Sequence, residues 1–209
     1  MASRPAWTIR DGKVISENFK FVWNSGFALV QSRKNISNLH SEINLQYNQT
    51  ALEVSSKSNI ELGRKIGAFN LKLDGVTLEN IFQSSKKYEN GGPYIDLIDV
   101  EPKLAKTDER HKNSGRLISF FYNGEDYSIE PKTLFYDYIY VKALFANYSA
   151  TLDLSEYEWF TDIMFNPRKS INCQARSAAI YKLIRQLGCF DVLNSKEDWL
   201  AFHVNRVAL

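Results

Sequence analysis

A chain of 209 residues with 44% apolar and 13% aromatic content can bury one full hydrophobic core, which excludes a disordered polypeptide. Its 26 Lys+Arg against 24 Asp+Glu leave a net charge of +2, too little for a basic face that grips nucleic acid non-specifically, yet compatible with one small cationic pocket. No apolar run approaches the roughly 18 residues of a membrane span, Met1-Ala2-Ser3-Arg4-Pro5 lacks the core of a signal peptide, and Cys173 and Cys189 form no CxxC pair. The expectation is a cytoplasmic protein with reduced thiols and no membrane contact. Because His40, His111 and His203 are scattered, no metal is expected either.

In chain order, residues 1–18 are polar and read as a frayed end. Phe19, Phe21 and Trp23 then alternate with Lys20, Val22 and Asn24, the period of a strand. Ile36, Leu39, Ile43 and Tyr47 recur at helical spacing, with Ser32 or Asn35 as cap. This strand and helix, residues 1–50, read as an annex packed on a core of residues 51–209. Ala51 to Val54 predicts a strand, and Ser58-Asn59-Ile60-Glu61 a capping box opening a brief helix weakened by Gly63 and Gly67.

Leu71 and Leu73 lead through an Asp74-Gly75 turn to a helix capped by Thr77, which Asn90-Gly91-Gly92-Pro93 ends. Tyr94 to Val100 reads as a strand, and Pro102 as the first position of a charged helix from Lys103 to about Lys112. Asn123-Gly124, between Arg116–Tyr122 and Glu125–Ile129, is a hairpin signal. Pro131 opens a helix with a Leu134, Tyr138, Val141, Phe145 stripe; Asn166-Pro167 opens another that stops at Gly188; Trp199 and Phe202 mark a short last helix. With no regular βαβ repetition, the fold class is α+β, a mostly helical single domain with short strands and a β-hairpin.

The stretch Leu78-Glu79-Asn80-Ile81-Phe82-Gln83-Ser84-Ser85-Lys86 carries the chemistry. At about 100° per residue, Glu79, Gln83 and Lys86 follow each other along one arc of the predicted helix, so a small ligand could meet an acid, an amide and an amine. The same spacing also describes an ordinary solvated stripe with a first-turn acid. Asp162, among Phe160, Ile163, Met164 and Phe165, is placed where burial raises a carboxylate pKa, or else anchors its loop. Asn172 and Arg176, at i and i+4, suit a phosphate or base edge, or are capping and surface groups. Lys57, Arg64 and Lys65, with Lys106, Arg110 and Arg116, form a cationic set of the kind that a diphosphate requires.

Leu78 to Lys86 resembles the core motif of the NADAR family, commonly written VEHYFQAQK, with Glu79, Phe82, Gln83 and Lys86 in matching places and Asn80 where the family has His. Phe69-Asn70 and Asp74-Gly75 resemble the family's S-N-F and D-G elements, Lys106 and Gly115-Arg116 its AK and GR elements, and Asp162 and Asn172 match a late Asp and Asn. The likeness spans roughly residues 55–187. It implies an N-glycosidase, without cofactor, that hydrolyses a ribosyl bond, in some members removing ADP-ribose from guanine in nucleic acid and so opposing an ADP-ribosyltransferase toxin; another branch cleaves a riboflavin-pathway intermediate.

Such chemistry needs a carboxylate for the charge that develops on the sugar, Glu79 or Asp162, and can use a lysine of lowered pKa, Lys86, as nucleophile. Gln83 and Asn172 would orient base or ribose, Asn70 and Arg176 would be further substrate contacts, and the cationic set, Lys57, Arg64, Lys106 and Arg116 among it, would hold the diphosphate. A nucleotide- or ADP-ribose-binding module without turnover, or an interaction protein, is the alternative expectation.

Overall fold

The computed structural model describes residues 1–26, 28–148, 154–166 and 170–208. The chain opens with two long antiparallel strands, β1 (Ala2–Arg10) and β2 (Lys13–Phe21), paired from Ala2↔Phe21 to Arg10↔Lys13. The expectation of a frayed end for residues 1–18 is therefore corrected. Asp11 and Gly12 both sit at positive φ, so Asp-Gly closes this hairpin as Asn-Gly closes the later one. Helix α1 (Leu29–Tyr47) packs Ile36, Leu39 and Ile43 inward. Its N-terminus has no side-chain cap; Asn35 is instead buried against Asn24.

Strand β3 (Ala51–Glu53) runs parallel to β9 (Trp159–Thr161), which pairs antiparallel with β1, giving the sheet order β2-β1-β9-β3. The first 50 residues thus contribute two strands to the sheet that also carries Asp162 at the end of β9. Period-2 alternation fills both faces: Ala6, Phe19, Phe21 and Trp159 join the core under α1, while Trp7, Val14, Leu52 and Phe160 join the main core. Helix α2 (Glu61–Lys65) starts after Ile60 with no side-chain cap. The capping box is not formed: the Ser58 hydroxyl accepts from Ile60 N, and Glu61 pairs with Lys65 instead. Gly63 lets α2 lie on β3, since a Cβ there would stand 1.9 Å from the Glu53 carbonyl oxygen.

After the short β4 (Lys72–Leu73) and β5 (Val76–Thr77), helix α3 (Leu78–Ser84) is buried at every position. It ends earlier than expected. The Ser84 and Ser85 hydroxyls both donate back to the Ile81 carbonyl, and the chain leaves as β6 (Lys86–Tyr88), pairing with β7 (Leu117–Tyr122). Tyr94–Val100 is no strand; it holds a 3₁₀ turn at Ile95–Ile98. The charged helix divides at Asp108, whose backbone is extended, into α4 (Pro102–Thr107) and α5 (Arg110–Asn113). The β7–β8 (Glu125–Ser128) hairpin turns on Asn123-Gly124.

The main core lies among α6 (Leu134–Tyr148), α7 (Gln174–Leu187) and α8 (Lys196–Arg206). Pro167, expected at the start of α7, lies outside the described residues; the described helix begins at Gln174 and closes on Gly188 in the left-handed region. Trp199 packs back, its indole N–H donating to Leu134 O at 3.0 Å. Among the described residues no helix is long and apolar enough to cross a membrane, and no cluster of three His, Cys, Asp or Glu is placed to hold a metal.

Candidate active site

Helix α3 brings a carboxylate into the interior because it is wrapped by α4, α6 and the 3₁₀ turn. Glu79 and Gln83 are each 4% exposed, so the polar arc is no solvated stripe. Gln83 Nε2 donates to Glu79 Oε1 at 2.9 Å, and Lys86 Nζ donates to Gln83 Oε1 at 2.6 Å. Lys86 reaches this line from the first residue of β6 and not from a helix, its ammonium 4.9 Å from the Phe82 ring centroid. Lys106 Nζ stands 3.5 Å from Glu79 Oε1 and 5.2 Å from the Phe69 ring centroid. Asn80, where the NADAR motif has His, is buried and donates from Nδ2 to Leu97 O at 2.6 Å and Val100 O at 2.8 Å, tying α3 to the chain that leads into α4.

These groups open into a two-lobed cleft. The first lobe, about 430 Å³, is lined by Ser55, Lys57, Asn70, Asp162, Gln174 and their neighbours. The second, about 490 Å³, is walled by Phe82, Phe120, Leu117, Ile129 and Ile171, with Gln83, Lys86 and Lys132 among its polar groups. Glu79, Lys106, Tyr136, Ser170 and Asn172 line both and form the waist between them.

Asp162 occupies the first lobe, 6% exposed. One carboxylate oxygen accepts from Met164 N (3.0 Å) and Phe165 N (3.2 Å), the other from Gln174 Nε2 at 3.1 Å. Burial, helped by the Glu53 carboxylate behind it, outweighs these bonds and pushes its pKa up to about 7. Glu53 is itself fully buried, and its pKa is raised by that burial. It accepts from Ser55 Oγ at 2.6 Å, Thr161 Oγ1 at 2.7 Å and Ile163 N at 2.9 Å, so it clamps the residues on either side of Asp162. Burial, opposed by Glu79 and helped by Lys106, brings Lys86 down to about 8.

Of the residues singled out in the sequence, Glu79, Gln83, Lys86, Asp162, Lys57, Asn70, Lys106 and Asn172 meet in this cleft. Four arginines and Lys65 do not: Arg110 pairs with Asp96 at 2.7 Å and with Asp108 at 2.9 Å, and Lys65 with Glu61 at 2.7 Å. Arg64 donates to Ser58 O (2.8 Å) and Asn59 O (2.9 Å) of its own loop. Arg116, its side chain 88% exposed, pairs with Glu89 at 2.7 Å. Arg176 is buried against Asp137 at 3.1 Å, in a cluster with Ser177 and His203 that joins α6, α7 and α8. Burial pushes the Asp137 carboxyl up, but Arg176, His203 and Ser177 together hold it below its ordinary value. The sequence reading missed Glu53, Tyr136 and Gln174. Gln174 alone had a signal, lying in the polar run after Asp162; it bridges Asp162 and Ala68 N, which donates to its Oε1 at 2.8 Å.

The family model of DarT1-associated NADAR antitoxins matches residues 2–208. No curated protein matches the chain. With almost its full length matched, the chain belongs to the DarT1-associated NADAR antitoxin family.

Proposed function

We propose that this antitoxin is an N-glycosidase that removes ADP-ribose from guanine bases of nucleic acid, reversing the modification made by an ADP-ribosyltransferase toxin in the cytoplasm. The observation that carries the reading is a buried acid and amide and a half-buried amine in hydrogen-bonded line along one wall of a cleft, with a second carboxyl titrating near neutrality in the adjoining lobe. The base is assigned to the second lobe, whose walls Phe82, Phe120, Leu117 and Ile129 are apolar. The ribose and diphosphate then occupy the waist and first lobe, held by Asn70, Asn172, Lys57 and Lys106. Arg64, Arg116 and Arg176 are left out of the proposed site because each is already committed elsewhere.

The pKa of Lys86 at about 8 supports a nucleophilic amine. At pH 7.5 roughly a quarter of such lysines are uncharged, against about 0.1% at the free value. In the proposed reaction the Lys86 lone pair bonds to the anomeric carbon while the carbon–base bond breaks and its electron pair leaves with the base nitrogen. Asp162, half protonated near neutrality in the first lobe, supplies through a water at the waist the proton that neutralises the base. Glu79 stabilises positive charge on the sugar as that bond opens and takes the proton that the new amine sheds. The ribosylamine nitrogen then expels the ring oxygen, which keeps the electron pair and is protonated by water; a second water hydrolyses the resulting imine, returning Lys86 and free ADP-ribose.

Offering the purified protein ADP-ribosylated DNA, ADP-ribosylated RNA and a riboflavin-pathway intermediate in parallel tests the proposal. Free ADP-ribose and unmodified guanine from the nucleic acid are expected. Tight binding without release from any of them would leave a binding module in place of an enzyme.

A further inference from the structure

Tyr136 has no part in the steps above, yet it lines both lobes at the waist. Its ring is fixed. It is 6% exposed, meets Phe82 of α3 edge-on with centroids 5.2 Å apart, and packs on Tyr140 at 5.9 Å. Its hydroxyl is different from its neighbours on α6: Tyr138 donates to Leu193 O at 3.4 Å and Tyr140 to Ile66 O, whereas the Tyr136 hydroxyl has no hydrogen-bond partner among the described residues. The ring is buried, while the hydroxyl itself is not among the buried unpartnered atoms and so reaches open space. Here the space in front of it is the cleft, at the place a ligand spanning both lobes must cross.

We infer that the Tyr136 hydroxyl is a substrate contact, donating a hydrogen bond to the ribose ring oxygen of an ADP-ribosyl ligand held at the waist. The assignment rests on the glycosidase reading, because it is there that this oxygen gains negative charge as it leaves the anomeric carbon. The donor keeps its proton and stabilises the developing charge by proximity, as a fixed dipole does in an oxyanion hole. Burial and the surrounding Tyr140, Glu79, Asp162 and Cys173 all hold the phenol well above its ordinary pKa. It is therefore a donor throughout the range in which Asp162 and Lys86 titrate.

Tyr136→Phe keeps the ring and removes only the donor. Two readouts are needed: ADP-ribose affinity by calorimetry, which requires no turnover, and kcat for ADP-ribose release from modified DNA between pH 6.5 and 8.5. The expected variant is folded by circular dichroism, binds ADP-ribose roughly 3- to 10-fold more weakly, and loses roughly 10- to 100-fold in kcat by the same factor at every pH. Wild-type affinity together with wild-type kcat overturns the assignment. A loss confined to alkaline pH also overturns it, since that would make the phenol a proton donor and not a fixed dipole. Wild-type protein that binds ADP-ribose but releases none contradicts the glycosidase reading while the affinity of the variant still decides the contact. Absence of ADP-ribose binding by wild type overturns both.

Discussion

Replacing Lys86 by Met removes a charge that the fold tolerates at a cost. Lys86 is mostly buried and its pKa falls from 10.5 to about 8, so the unfolded chain binds the proton more tightly than the native one. For a lysine shifted this way the cost is fully present below pH 8 and fades as pH rises toward the unfolded value. From these two values, the native state gives up about 3 kcal/mol at pH 7 and about 1 kcal/mol at pH 10 on the linkage relation. Met fills the same volume without the charge, though it forfeits the 2.6 Å bond to Gln83. That loss adds an offset that does not follow the lysine titration. Urea unfolding of both proteins at pH 7 and pH 10 should therefore show the stability difference moving by about 2 kcal/mol in favour of wild type at the higher pH. A difference that is the same at both pH values would refute the claim that Lys86 is buried with a lowered pKa.

Further outcomes follow from the same geometry. The kcat/KM profile for ADP-ribose release is expected to be bell-shaped with limbs near pH 7 and 8, from Asp162 as proton donor and neutral Lys86 as nucleophile. In Glu53→Gln the acid limb moves to lower pH, because one contributor to the raised Asp162 pKa is gone; an unmoved limb would separate Glu53 from Asp162. Asn80→Ala leaves the Leu97 and Val100 carbonyls without their donor and should cost about 1–3 kcal/mol in urea unfolding, with weaker ADP-ribose binding as Lys106 loses its support. Arg176→Met strands the buried Asp137 carboxylate and should cost about 3–5 kcal/mol of stability. Arg116→Ala, by contrast, should leave stability and release at the wild-type level, since its ion pair with Glu89 is exposed.

Elements marked by strong turn chemistry were legible in the sequence. Asn123-Gly124 and the Gly188 stop appear where their φ requirements put them. Asp11-Gly12 carried the same signal as Asn123-Gly124, but its flanking strands are buried on both faces in part and mix Arg4, Pro5 and Glu17 with apolar residues, so no alternation announced them. The end of α3 was hidden because Ser84 and Ser85 allow a helix as readily as they end one; only pairing of β6 with β7 decides. Lys86 still meets Gln83, since the first residue of the strand points along the helix it has just left.

Within the site, the acid, amide and amine were visible as spacing. The arginines misled because ion-pair partners distant in sequence, Glu89 for Arg116 and Asp137 for Arg176, leave no local trace. Tyr136 was hidden for another reason: α6 buries Leu134 through Leu144 with the exception of Lys142, so nothing in its pattern sets one tyrosine apart from its neighbours.

The most direct test is release of ADP-ribose from ADP-ribosylated guanine in DNA by wild-type protein and by Glu79→Gln, with binding measured alongside. Release by wild type, and retained binding with release lowered by two orders of magnitude or so in the variant, is the predicted result. Equal release by both proteins would contradict the account, because the buried carboxylate at the waist of the cleft would then have no part in breaking the bond.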